Sequence, residues 1–400
     1  MAGALDGVKV LDLSRFIAGP YCSMLLADMG ADVIKVERKG KGEDSRGMIP
    51  FAGKEGGEKV SLYYTQYNKN KRSITLDFRN PKGIELLKDL IKQSDVLVEN
   101  FRAGTLDKMG LTKEVLNELN PSLVVTSVSG FGQDGPYKDR AAFDCIGQVM
   151  GGLMSVTGEI GREPLLTGTW VADFSTAIYS AFGTVCALYH QKQTGEGQFL
   201  DVSLMDSVVS LLATAIPNYV ETGTVQPRRG NRDNVTCPAN LFKTKDSYIY
   251  MHAGTDPLFK TLTQIMGNPE LNEHPKYYTA NERMKYIEEV EEIVQKWMAD
   301  YSTEEVENML VEAGIPCSPV MDVASIVKNP QIKHRETVIY REYPGVGEIA
   351  LPGIIVKMDK TKGEVKRIPP TLGQHNFEVY EEMLALTKED VEKLILDGII

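Results

Sequence analysis

The first third of the chain constrains the fold most, because short β-branched runs alternate there with segments of helical period. Val8–Leu13 reads as a strand, Gly19-Pro20 opens a helix that runs through Met29 and stops at Gly30, and Asp32–Val36 is a second strand. Ser73–Leu76 is a third. Pro81 then starts a helix with Ile84, Leu87, Leu90 and Ile91 on one face, and Asp95–Val98 and Leu123–Ser127 follow as strands. Strands separated by helices pair in parallel, since the chain must cross a sheet face before the next strand can run the same way. The expected fold class is α/β, an open parallel sheet covered by helices. The Gly-, Lys- and Glu-rich segment Lys39–Lys59 reads as a loop.

The middle of the chain is more helical. Asp144–Ser155 is a candidate helix, and Phe174, Ala177, Ile178, Ala181, Phe182, Val185, Leu188 and Tyr189 mark an apolar stripe on a stronger one that ends at Gly195. Phe199–Ser203 reads as strand and Leu204–Tyr219 as helix, before a boundary rich in Gly, Pro, Arg and Asn over Glu221–Asn240. Strand-like Tyr248–Met251 then precedes helices at Asp256–Gly267, Asn281–Asp300 and Thr303–Ala313. The expected division is a large domain from 1–222 and 326–400 and a smaller α+β domain over 223–325. A length of 400 residues suits two or three domains at roughly 100–200 residues each.

Composition narrows the function. The formal charge of -11 disfavours nonspecific nucleic-acid binding, which rests on phosphate neutralisation, although it leaves room for a local basic pocket. Cys22, Cys145, Cys186, Cys237 and Cys317 lie far apart with no CxxC, which suits a reducing compartment and gives a zinc ribbon no support. The five histidines are scattered, so no metal site is expected. The N-terminus has neither a basic nor an apolar leader pattern, and the apolar run from Leu204 to Ile216 is too short and polar to span a bilayer. A cytoplasmic protein with no nucleic-acid or membrane partner is expected.

Gly130-Phe131-Gly132-Gln133-Asp134-Gly135 matches a dinucleotide fingerprint after a strand, but Pro136–Arg140 reads as loop where the phosphate-binding helix should begin. P-loop, HExxH and GxSxG patterns are absent from the sequence. Asp173 begins the long striped helix; an N-cap explains it, and so does a carboxylate nucleophile held ionised by the helix dipole. Asp144 likewise starts a helix. Arg38, Arg79, Arg102, Lys108 and Arg140 each follow a strand, where an open α/β sheet places its ligand crevice.

Several segments together are more specific. Leu5-Asp6-Gly7, Ala18-Gly19-Pro20, Gly30-Ala31-Asp32-Val33-Ile34-Lys35-Val36-Glu37, Asn70-Lys71-Arg72-Ser73, Val98-Glu99-Asn100-Phe101 and Gly195-Glu196-Gly197-Gln198 resemble the class III CoA-transferases. The resemblance continues through Gly314–Val320 and Leu372-Gly373-Gln374-His375, so it spans nearly the whole chain. It implies a Rossmann-like large domain built from both ends of the chain, a smaller domain from the later middle, and an interlocked homodimer. It also implies that coenzyme A esters are substrates, with no permanently bound cofactor, and that a small carboxylic acid is the acceptor. Asp173 would attack the thioester, passing through an aspartyl anhydride and an aspartyl-CoA thioester. Asp144 would support it. By position, Arg38 and Arg79 match contacts to the nucleotide end, with Ile17, Ala18 and Leu76 around the adenine. Asn100, Phe101 and Lys108 match further CoA contacts, and Arg140 lies near a basic position of the family.

Three departures bear on the reaction. Lys108 stands where the family often has Arg, which loses a bidentate phosphate fork. Family racemases carry a His-Asp pair where this chain has Phe143-Asp144, and a phenyl ring cannot shuttle a proton. Transfer is therefore favoured over the alternatives, racemisation of an α-methylacyl-CoA or non-catalytic binding of CoA esters. Met251-His252-Ala253-Gly254-Thr255 holds one glycine, against the glycine-rich loop of formyl-CoA transferases. Arg232 and His252 are candidates to face the acceptor carboxylate.

Overall fold

Six strands pair in parallel in the order Lys71–Thr75, Asp32–Glu37, Lys9–Asp12, Val96–Glu99, Val124–Ser129, Phe199–Ser203 in the computed structural model, which describes residues 3–400. Counted along the chain this is 3-2-1-4-5-6, the doubly wound order of dinucleotide-binding sheets. The strands are rich in Val and Ile because both sheet faces are covered. Val10, Val33, Val96, Val98 and Val124 pack on one side with Cys22 and Ala177, while Leu11, Ile34, Ile74, Leu97 and Val125 pack on the other with Leu87 and Tyr380.

The covering helices start and stop where local chemistry dictates. Asn80 accepts the Lys82 N–H at 2.9 Å ahead of Pro81, whose missing donor is no loss at a first helical position. The 24-residue helix Val171–Thr194 ends at Gly195, whose φ of 80° only glycine adopts freely. That helix is apolar and long enough to cross a membrane by composition alone, yet its Ala172, Thr176, Ala177, Ser180 and Thr184 face is buried, with Thr184 hydrogen-bonded to strand residue Thr126 at 2.7 Å.

The chain divides into two compact units, one of residues 1–153, 166–217 and 330–400 and the other of 154–165 and 218–329. The smaller unit has a three-stranded antiparallel sheet in the order Cys317–Pro319, Tyr248–His252, Ala239–Lys243, with Phe242, Ile249, Met251, Leu262, Val294 and Leu310 in its core. Several expected helices are broken. Leu204–Tyr219 is two, Leu204–Ser210 and Ala215–Thr222, interrupted by Ala213 at a left-handed φ of 46°. Asn281–Asp300 is Ala280–Lys285 and Ile287–Met298, interrupted at Tyr286. Asp144–Ser155 is Asp144–Met150 and Leu153–Val156. The expected loop over Lys39–Lys59 holds a short 3-10 turn at Asp44–Gly47 and a strand pair between Phe51–Ala52 and Val60–Ser61.

Candidate active site

The sheet winds outward in both directions from Lys9–Asp12 and Val96–Glu99, so the loops after these two strands part and leave a crevice at their carboxyl ends. Its volume is about 290 Å³, and its walls are Arg15–Ala18, Asn100–Ala103 and Val128–Gly130, with Lys138, Arg140–Phe143, Asp173 and Leu204 completing it. The two loops are locked together. Asn100 Oδ1 accepts the Arg15 N–H at 2.8 Å and Asn100 Nδ2 donates to the Arg15 carbonyl at 2.7 Å. Gly19 permits this approach, since a Cβ there would lie 2.2 Å from Ser14 Cβ and 3.3 Å from Asn100 Cγ.

Buried charge holds the same loop from beneath. Asp12, Lys35 and Lys71 are fully buried; Lys35 Nζ donates to the Ser14 carbonyl at 2.7 Å, and Lys71 Nζ to Asp12 and to the Pro20 carbonyl, each at 2.9 Å. Despite the cost of burial, Lys35 and Lys71 hold the Asp12 carboxyl well below the usual carboxylate range. Phe16 sits at a φ of 65°, which costs a non-glycine residue strain, and its N–H donates to the buried Glu43 carboxylate at 3.1 Å.

Asp173 lies in the first turn of its helix but does not cap it. The capping carboxylate is Asp144, whose Oδ1 accepts from the Ala172 N–H at 2.8 Å and the Asp173 N–H at 3.1 Å, while its Oδ2 accepts from Gln148 Nε2 at 2.6 Å. The N-cap reading of Asp173 is thus corrected, and so is the idea that Asp144 serves its own helix. The expectation that the dipole keeps Asp173 ionised is also corrected. Burial first, and the neighbouring Asp144 second, push its carboxyl up to about 7. The helix N–H groups that would have favoured the anion are spent on Asp144.

An aromatic wall flanks Asp173. Tyr21 meets Phe174 edge-on at 5.0 Å, Tyr63 meets Trp170 at 5.4 Å, and Tyr67 lies 5.6 Å from Tyr63 and 6.1 Å from Phe174. Phe143 packs edge-on against Phe16 at 5.7 Å.

Of the residues anticipated from sequence, the crevice gathers Ile17, Ala18, Asn100, Phe101, Arg102, Arg140 and Asp173. Arg38 is linked to it through Asp44, which takes Arg38 at 2.7 Å and the crevice residue Arg15 at 3.1 Å. Arg79 and Lys108 are exposed and do not line it. Leu76 is fully buried among Leu87, Leu90 and Tyr380, so it has no surface for an adenine, and that expectation is corrected. Arg232 is engaged by Glu291 at 2.7 Å and His252 by Thr236 at 3.1 Å within the smaller unit, so neither is a free partner for an acceptor carboxylate. Sequence reasoning missed Arg15, Phe16, Lys138, Tyr63 and Tyr67. Tyr63 and Tyr67 carry a usable signal, an i, i+4 aromatic pair that shares one side of a helical turn. Among the described residues no group of three or more His, Cys, Asp or Glu side chains is placed to hold a metal ion.

This crevice belongs to a chain whose sequence matches CoA-transferase family III over residues 5–376. The chain is 37% identical to the succinyl-CoA–D-citramalate CoA-transferase of Chloroflexus aurantiacus, over 98% of this chain and 96% of that protein. It is 35% identical to human succinyl-CoA:glutarate CoA-transferase, over 99% of this chain and 90% of that one. The crystal structure of a CAIB/BAIF family protein from Brucella suis superposes with a TM-score of 0.85 at 34% identity, covering 96% of this chain and 100% of that one. The protein is therefore a member of CoA-transferase family III, an enzyme that transfers coenzyme A.

Proposed function

We propose that the protein moves coenzyme A from an acyl-CoA donor to a free organic carboxylate, with Asp173 as the nucleophile. The acids acted on are dicarboxylic in this reading, as the names of its succinyl-CoA-dependent relatives suggest. The observation that carries it is the state of Asp173: a half-buried carboxylate at the crevice wall that accepts no hydrogen bond from any described residue and is pushed up to about 7. A carboxylate so poorly solvated is a better nucleophile than one in water, and it titrates near neutral pH.

In the first step an Asp173 oxygen attacks the thioester carbon, the C–S bond breaks, and a mixed anhydride and CoA thiolate result. The thiolate then attacks the Asp173 carbonyl and expels the donor acid as its carboxylate, which leaves an aspartyl-CoA thioester. The acceptor carboxylate attacks that carbonyl in turn, and the released thiolate takes the new acyl group, restoring Asp173. Arg15, Arg38, Arg102, Lys138 and Arg140 supply positive charge for the CoA phosphates, Ile17 and Ala18 an apolar surface. Phe16 and Phe143 shield the intermediates from water. Asp144 positions Asp173 by capping its helix.

A racemase needs a second base, Phe143 stands in sequence where family racemases carry histidine, and among the described residues no histidine lines the crevice. The interlocked homodimer is part of the proposal. Ile178, Phe182, Val185 and Tyr189 form an exposed apolar row along the Val171–Thr194 helix, with Phe182 69% exposed, and a second copy would cover it. The five free cysteines suit a reducing, cytoplasmic setting. The experiment is intact-mass analysis after incubation with a panel of acyl-CoAs, then hydroxylamine treatment and peptide mapping. A hydroxamate on Asp173 is expected. Absence of any mark together with α-proton exchange in deuterium oxide would replace transfer with racemisation.

A further inference from the structure

Each addition to an acyl carbon in this scheme puts negative charge on its oxygen, and a preorganised donor at that oxygen is usually the largest single contribution to catalysis. The start of the Val171–Thr194 helix is the obvious source, but its N–H groups are spent. Val171 donates to the Thr169 carbonyl and Phe174 to that of Trp170, both at 3.0 Å, and the N–H groups of Ala172 and Asp173 donate to Asp144. This helix start therefore supplies no free backbone donor, which turns attention to the side chains around Asp173.

Tyr67 packs beside this helix start, against the residue that follows Asp173. It is 5% exposed, and its ring is fixed between Tyr21 at 6.3 Å, Tyr63 at 5.6 Å and Phe174 at 6.1 Å, the last being the residue next to Asp173. Its hydroxyl makes no hydrogen bond to any described residue, which leaves its proton available. Burial and then the Asp173 charge push this phenol up to about 12, so it stays a neutral donor throughout the range in which Asp173 titrates.

We propose that the Tyr67 hydroxyl donates a hydrogen bond to the carbonyl oxygen of acylated Asp173 as CoA thiolate adds to it. The S–C bond forms while the carbonyl pair moves onto oxygen, Tyr67 holds that oxyanion, and the pair returns as the acyl carboxylate departs. This rests on Asp173 being the acylated residue.

The test compares wild-type enzyme, Tyr67→Phe and an enzyme carrying 3,5-difluorotyrosine at position 67, using the acyl-CoA that marks Asp173. Tyr67→Phe is expected to lower kcat on the order of 100-fold, the usual effect of losing one oxyanion donor, with KM for the acyl-CoA within about threefold and Tm unchanged. Fluorination lowers the phenol pKa and should bring in an alkaline loss of kcat that the wild type lacks, a shift that packing alone would not cause. A fall in kcat of less than tenfold in Tyr67→Phe overturns the proposal, and so does an unchanged pH profile in the fluorinated enzyme if the Phe variant does not fold. If wild-type enzyme transfers CoA without marking Asp173, it is the nucleophile assignment that fails.

Discussion

Asp144 Oδ1 accepts the Asp173 N–H at 3.1 Å, so one carboxylate caps the helix on which the other is presented. The same contact places a like charge beside Asp173 and contributes to its raised pKa. Asp144→Asn keeps an acceptor oxygen but removes the charge, and should move the acid limb of the kcat/KM profile to lower pH while leaving Tm close to wild type. Asp144→Ala removes the cap as well and should cost about 1–2 kcal/mol in denaturant unfolding. An acid limb that does not move in Asp144→Asn would show that the neighbouring charge has no influence on Asp173.

With Asp173 as the proposed nucleophile, activity should rise with pH through a single ionisation near 7, because the reacting form is the carboxylate and burial holds Asp173 protonated up to about 7. Steady-state kcat/KM against pH measures this directly. A flat profile on both sides of neutrality would contradict it.

The same shift makes a stability prediction with a definite sign. The folded state binds the Asp173 proton more tightly than the unfolded chain, whose carboxyl titrates near 3.8. Ionisation therefore destabilises the fold, and the penalty grows as pH rises from about 4 to about 7 and is complete above that. Asp173→Asn should abolish transfer while raising Tm more at about pH 8.5 than at about pH 4. Equal Tm gains at the two pH values would refute it.

Gly19→Ala should destabilise the protein by roughly 1–3 kcal/mol, since its new Cβ meets Ser14 Cβ at 2.2 Å. The displaced loop carries Ile17 and Ala18, so calorimetric affinity for CoA should fall too. Retention of both stability and affinity would mean that the two loops have more freedom than their contacts suggest.

Removing one member of the buried Asp12–Lys71 pair leaves a charge without its partner. Asp12→Asn should cost about 3–5 kcal/mol, a far larger effect than Lys296→Ala, whose exposed ion pair with Glu292 lies on a helix surface. Urea midpoints of the two variants settle the comparison.

The parallel sheet was legible because its strands are covered on both faces. Val8–Leu13 and Asp32–Val36 had to be rich in Val, Ile and Leu, with the charges Asp12 and Lys35 buried as partners, and the intervening segments had to keep a helical period. The breaks at Ala213 and Tyr286 were not legible, since neither residue is a helix breaker and the interruptions are backbone conformations at single positions. Within the site, Asp173 and Arg140 stood out by their place at a helix start or after a strand, and Asn100 by the family resemblance. Leu76 was placed at the adenine by the resemblance alone, and a matching position along the chain does not tell which side of a strand end a side chain faces.

By itself the sequence determined the class of fold and the family, and it singled out Asp173 as a candidate, because strand period, helix period and short motifs are local properties of neighbouring residues. Only the tertiary structure decided what surrounds Asp173. Asp144 lies 29 positions earlier, and Tyr67 more than a hundred, yet the doubly wound sheet brings them to the start of one helix. Burial and like charge then shift a carboxyl toward neutral pH. Both depend on distances through space, which chain spacing does not encode.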